Sequence, residues 1–170
     1  FTIIQDLGLG NSHVKFISEG RDKAKCVGTY LFLKISLTII FTFLVLLSVF
    51  LLKTRNPEEL SYEQEIMIYL FLVSYIFTGF SIVFTKTLDS ELKIAKSTLP
   101  YTIEKVIIVT LKIFVALFGL SIIHLATASV VGTLVSFLIF LFLYFHKGKI
   151  SKPDLVTIKA YFSFALPLLM

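Results

Sequence analysis

The sequence predicts an all-α, polytopic membrane helix bundle, with four complete transmembrane helices and partial helices at both ends. Three observations predict it. Hydrophobic residues make up 56% of the chain and mean hydropathy is +0.91, above the roughly 45–50% apolar content of ordinary soluble domains. Charged residues, 16% of the total, fall between the apolar runs instead of interleaving with them, as in a chain that crosses a bilayer several times. The runs are about twice the ~10 residues of a membrane barrel strand and lack in/out alternation, so helices are predicted over strands.

Taken in order, residues 1–17 predict the second half of a membrane helix. Its apolar run is interrupted by Asp6, Gly8 and Gly10, and it runs out into a basic loop with Lys15, Arg21, Lys23 and Lys25. Residues 30–52 predict the clearest complete span, broken only by Lys34. The loop 53–65 carries Pro57 and the glutamates Glu58, Glu59, Glu63 and Glu65. A second span is predicted over 66–84. A polar stretch with Pro100 follows, with a short amphipathic helix over 89–96. The third span is predicted over 103–125 and the fourth over 129–145, joined by a very short link at 125–128. Residues 146–159 predict a basic loop with Pro153, and 160–170 the start of a further span. The chain begins with Phe1, and the final apolar run is too short to cross ~30 Å of hydrocarbon. It is therefore expected to be a piece of a longer protein.

The basic residues set the orientation, because cytoplasmic loops collect Lys and Arg. The first, third and fifth loops hold four each: the four above, then Lys86, Lys93, Lys96 and Lys105, then Lys147, Lys149, Lys152 and Lys159. The second loop has only Lys53 and Arg55, and the link around His124 has none. The odd loops are thus expected to be cytoplasmic. The net charge of +5 follows from this sidedness, and no nucleic-acid partner is expected. Tyr30, Tyr101 and Tyr144 are placed at inner membrane boundaries and Tyr62 near an outer one.

Two lysines lie inside spans, Lys34 and Lys112. A lysine in hydrocarbon costs a few kcal/mol unless it snorkels or meets water or a partner. Polar residues share faces with them at helical spacing. Tyr30, Lys34, Thr38 and Thr42 recur on the first complete span. Ser74, Thr78, Ser81 and Thr85 recur on the second, Lys105, Lys112, Ala116 and Gly119 on the third, and Ser129, Thr133 and Ser136 on the fourth. Such stripes serve helix packing or line a wet cavity. Asp6 is the one acid well inside an apolar segment. It pairs with a membrane lysine, binds a coupling cation such as Na+ or H+, or lies at a helix end.

Several chemistries have no counterpart here. The single cysteine, Cys26, allows no intrachain disulfide and no thiolate zinc site. His13, His124 and His146 lack ligand-spaced partners, so no metal is expected and surface positions are assigned to all three. The Gly8-Leu9-Gly10 run lacks the lysine of a nucleotide-binding loop. No Ser/His/Asp spacing is present, and the protein is not expected to be an enzyme.

The stretch Asp6–Gly10 followed by Val14–Gly20 resembles the second-helix exit of polysaccharide flippases. These are the O-antigen-type, Wzx-like transporters of the multidrug/oligosaccharidyl-lipid/polysaccharide superfamily. Lys93-Ile94-Ala95-Lys96 resembles that family's loop between its fourth and fifth helices, without the glycine often found there. Leu125-Ala126-Thr127-Ala128 resembles its next hairpin, and Phe162 to Leu169, with Pro167, the start of its seventh helix. The resemblance implies that residues 1–145 belong to an N-terminal six-helix lobe, 146–159 to an inter-lobe loop and 160–170 to the second lobe. It implies a multi-pass protein of the cytoplasmic membrane that flips polyprenyl-diphosphate-linked oligosaccharide by alternating access. Pro167 would lie on a helix that bends.

Under that expectation Lys34 and Lys112, with Asp6, Thr38 and Thr78, line the substrate cavity, and the lysines attract the diphosphate. Two other functions are weighed. A cation or drug antiporter of the same superfamily would use carboxylates inside the membrane, and the four complete spans have none in their interiors. A membrane scaffold without transport would use the polar stripes for packing alone.

Overall fold

A computed structural model describes residues 6, 8–55, 60–145, 150–165 and 167. Among them the chain forms six helices and no strand. They are α1 (Leu9–Ser18), α2 (Lys23–Arg55), α3 (Tyr62–Ser90), α4 (Ile94–Leu117), α5 (Ile122–Phe145) and α6 (Leu155–Ala165). Three of them, α2, α3 and α5, are long and apolar enough to cross a membrane.

The helix ends follow from local chemistry. Gly8, at φ 71°, breaks the chain just before α1. The Asp22 carboxylate accepts the Ala24 N–H at 2.9 Å and caps α2. Ser61 and Gln64 close a capping box on α3. Asp154 accepts the Val156 N–H and the Thr157 hydroxyl and starts α6. Three helices end alike. In each, the last turn is closed by paired bonds onto the carbonyls of Phe16 and Ile17, of Leu88 and Asp89, or of Val115 and Ala116. This closure needs a left-handed residue just past the helix. Gly20 and Gly119 supply it in the first and third cases, and Leu92, at φ 57°, in the second.

These ends correct several expectations. The link between the last two spans lies at 118–121, not 125–128. Gly119 turns the chain there, whereas Leu125 to Ala128 are helical, one turn inside α5. The separate amphipathic helix over 89–96 is absent. Instead α3 runs on to Ser90, and α4 starts at Ile94 with Pro100 inside it. The loop expected up to residue 159 ends at Asp154, because that cap starts α6 five residues earlier than expected. The four complete transmembrane helices reduce to three candidates. The third expected span corresponds to α4, whose Glu104, Lys105 and Lys112 keep it out of that set.

The helices pack as two linked groups. α5 lies along α3 and α4, while α1 sits on α2 and α3, and α6 on α1 and α2. One core joins Leu9, Phe16, Tyr30, Leu33, Val83 and Tyr161 across α1, α2, α3 and α6. The other joins Val27, Phe84, Leu88, Phe140 and Tyr144. Tyr30 and Tyr144 are buried in these cores.

The three basic loops meet at one end of the bundle. Lys23, in the first, pairs with Glu91 in the third. Ser151, in the fifth, donates its N–H to the Ala24 carbonyl at 3.1 Å. Gly28 makes this approach possible, since a Cβ there would run into the Ser151 carbonyl oxygen. At the other end Lys53 and Glu65 pair at 2.6 Å and tie α2 to α3.

Candidate polar site between α1, α2, α3 and α6

A polar cluster fills the first core. It starts with Asp6, one turn ahead of α1. One carboxylate oxygen accepts the Tyr30 hydroxyl at 2.8 Å and lies 2.9 Å from the Lys34 ammonium. The other accepts the Gly10 N–H at 3.0 Å. A Cβ at Gly10 would come within 2.6 Å of that second oxygen, so the glycine lets the carboxylate reach the backbone. Tyr30 and Lys34 are one turn apart on α2 and present neighbouring side chains to it. The lysine is only 1% exposed. A buried cation of this kind persists only when paired and hydrogen-bonded, and Asp6 supplies both.

The second part of the cluster centres on His13, which is fully buried. Its ring stacks on Tyr30 with centroids 4.6 Å apart. Its Nδ1 lies 2.7 Å from the Tyr161 hydroxyl of α6, and its Nε2 lies 2.9 Å from the Thr87 hydroxyl of α3. Thr87 also donates to the Val83 carbonyl at 2.7 Å, and Tyr161 is 3.3 Å from the Cys26 carbonyl. One imidazole therefore touches polar atoms from α3 and α6 while stacking on α2.

The sequence-predicted residues separate in space. Asp6 and Lys34 come together. Lys112 is exposed on α4, which packs on α3 and α5. Thr38 lies partly buried one turn along α2 from Lys34, in a groove of about 430 Å³ with Ile35, Thr42, Ile76 and Phe80. Thr78 is partly buried on α3. Gly119, expected on the face of Lys112, lies in the turn after α4. Pro167 is exposed beyond the end of α6, and its neighbours at 166 and 168–170 lie outside the described residues.

The surface placement of His13 is corrected. The buried face of α1 runs through Leu9, Ser12, His13 and Phe16, a three-to-four spacing that puts the histidine in the core. That spacing was the available signal. His124 is exposed, as expected, and hydrogen-bonds Ser121 at 2.9 Å. His146 lies outside the described residues. Tyr30 shares the polar stripe of Lys34, but Thr87 and Tyr161 carry no sequence signal of their own, because their roles depend on helices far apart in the chain. No group of three or more metal-binding side chains occurs among the described residues.

Two acids stand apart from this cluster. Glu104 is buried on α4 and reaches Lys105 at 3.4 Å. Glu91, in the turn after α3, is held by Lys23 and Lys93. Burial pushes the Glu91 carboxyl up, but the two ammonium groups outweigh it and hold it below the usual carboxylate range.

Comparison with known proteins adds one match. The model of a family described as polysaccharide biosynthesis protein covers residues 1–170. No curated protein matches, and no solved structure matches.

Proposed function

The chain belongs to the polysaccharide biosynthesis protein family, and on that premise we propose that it flips lipid-linked oligosaccharide across the cytoplasmic membrane by alternating access. The observation that carries this reading is the buried Lys34–Asp6 pair. A lysine within an apolar span, held by one carboxylate, is a cation that an incoming diphosphate can compete for. In a poorly screened interior such competition is strong, because charges there act over a lower dielectric than bulk water. Asp6 balances Lys34 when substrate is absent, which keeps the empty site from holding an unpaired charge. Lys112, exposed on α4, is the second cation proposed to meet the diphosphate. Thr38 and Thr78 offer hydroxyls on the facing helices.

The commitment of Asp6 to Lys34, Tyr30 and Gly10 favours an anionic substrate over a cationic drug, since the carboxylate is already satisfied. The test is flipping by the full-length protein in proteoliposomes, with a fluorescent polyprenyl-diphosphate oligosaccharide. Lys34→Gln and Lys112→Ala are expected to insert normally and to lose flipping by about tenfold or more. Wild-type rates in both variants would overturn the assignment of the lysines. Inactivity of the wild-type protein toward every diphosphate-linked lipid would overturn the function.

A further inference from the structure

We propose that Lys105 is an anion site at mid-membrane depth, on an edge of α4 that faces water, and that it takes the diphosphate of the lipid-linked substrate. The inference rests on the flipping function proposed above. Depth comes first. The sequence counts Lys105 among the basic residues of the third loop, but α4 starts at Ile94. Lys105 lies eleven residues after that start and twelve before Leu117, the last residue of the helix. At the helical rise this is about 16–18 Å from either end. α4 runs antiparallel beside α5, which is long and apolar enough to cross a membrane. Tyr101 packs edge-on against Phe140 with centroids 5.3 Å apart, and Val115 shares a groove with Ala128. Between these contacts Gly132 admits α4 closely, since a Cβ there would run into the Ile108 side chain. Lys105 therefore sits level with the stretch between Gly132 and Phe140, well inside α5.

At that depth its surroundings are decided by the edge it occupies. Thr98, Thr102, Lys105, Val109, Lys112 and Ala116 recur at alternate steps of four and three residues, and all six are exposed. Such spacing places them on one edge of α4, while Ser97, Glu104 and Val115 turn inward. Facing hydrocarbon, the two cations of this edge would lose their hydration. Lys112 is five residues from the end of α4 and can snorkel to that interface. Lys105 cannot, because its four-carbon stem is far shorter than the distance to either end. Its side chain is nevertheless 71% exposed. Water along this edge is what keeps the ammonium charged.

The ammonium is also open to an incoming anion. Glu104, the preceding residue, is 7% exposed and lies 3.4 Å from it. The hold is looser than at Lys34, where Asp6 stands at 2.9 Å and the lysine is 1% exposed. A lysine has three donor hydrogens, and a single long contact leaves most of this donor capacity on the exposed side. A diphosphate in the wet path thus meets an open cation at Lys105, whereas Lys34 is sealed behind its carboxylate. Glu104 balances the charge when no anion is present, as Asp6 does for Lys34. Lys112, two turns along the same edge, offers the next cation toward the end of the bundle away from the basic loops.

The experiment uses the full-length protein in lipid nanodiscs, freed of its own cysteines and carrying Val109→Cys, one turn from Lys105. An uncharged, water-soluble maleimide is expected to label this position. Inorganic diphosphate at fixed ionic strength is expected to slow the labelling about threefold or more, as a mostly occupied site requires. Lys105→Arg keeps the cation and is expected to keep the protection. The double variant Glu104→Gln/Lys105→Gln removes the pair without stranding the buried carboxylate, and is expected to lose it. Absence of labelling would mean that lipid or protein covers the edge, and would overturn the proposal. So would labelling that diphosphate leaves unchanged, or protection that survives in the double variant. Flipping by the same protein in proteoliposomes separates the two readings. Protection without flipping would overturn the function and leave the anion site, and flipping without protection would do the reverse.

Discussion

The Lys34 ammonium lies 2.9 Å from the Asp6 carboxylate, although the two residues belong to different helical segments and the lysine is 1% exposed. Removing Lys34 leaves the partly buried Asp6 carboxylate without its cation. Lys34→Met is therefore expected to destabilise the protein by about 3 kcal/mol. The double variant Asp6→Asn/Lys34→Met is expected to recover more than half of that loss. Thermal unfolding of the single and double variants in detergent checks both statements, and additive losses would show that the pair is not coupled.

Tyr30 ties the same carboxylate to α2 through its hydroxyl at 2.8 Å. Tyr30→Phe keeps the ring stacked on His13 and deletes one charge-assisted bond. A loss of about 1.5–3 kcal/mol is expected, with the fold intact. Hydrogen exchange at the Gly10 amide, which bonds the same carboxylate, should speed up in this variant.

Gly28→Ala puts a methyl group against the Ser151 carbonyl. Backbone on both sides leaves little room to yield, so a loss of about 1–3 kcal/mol is expected. Faster hydrogen exchange at the Ser151 amide, which bonds the Ala24 carbonyl, would locate the damage.

Leu92 holds a left-handed conformation at φ 57° and is 85% exposed. Leu92→Gly relieves about 1–2 kcal/mol of backbone strain and gives back about 0.5–1 kcal/mol of chain entropy. A small net stabilisation, on the order of 0.5 kcal/mol, is expected. An unchanged or lower melting temperature would count against the strain.

Glu91 supplies the acid-side pH dependence. Its carboxyl sits below the ordinary value of 4.5 because Lys23 and Lys93 outweigh its burial. A group lowered in this way adds stability above its unfolded value and loses it as pH falls through the folded value. The pair is partly exposed, so the contribution is on the order of 0.5 kcal/mol. Melting temperatures of wild type and Glu91→Gln are expected to differ at neutral pH and to converge as pH falls below the lowered Glu91 value.

Much of the architecture was legible from local chemistry. The apolar runs gave α2, α3 and α5, because a stretch of ~20 apolar residues has to form its own backbone hydrogen bonds in lipid. The grouping of lysines and arginines anticipated that three loops share one end, which the Lys23–Glu91 pair and the Ser151–Ala24 bond bear out. Helix ends were less legible. Asp154, Leu92 and Gly119 act through one or two hydrogen bonds each, and hydropathy averaged over a span does not register them.

By itself, then, the sequence determined that this is a helical membrane protein with a sided charge distribution, and it singled out Asp6 and Lys34 as anomalous charges. Hydrocarbon penalises such groups wherever they sit, so their oddity is visible without a fold. Tertiary structure alone decided that the two form a pair, that Lys112 stands apart on α4, and that His13 meets Thr87 and Tyr161. Hydrogen bonds from His13 to Thr87 and Tyr161 span 74 and 148 residues of chain. A contact of that range depends on how helices pack against one another, which no local pattern of residues encodes.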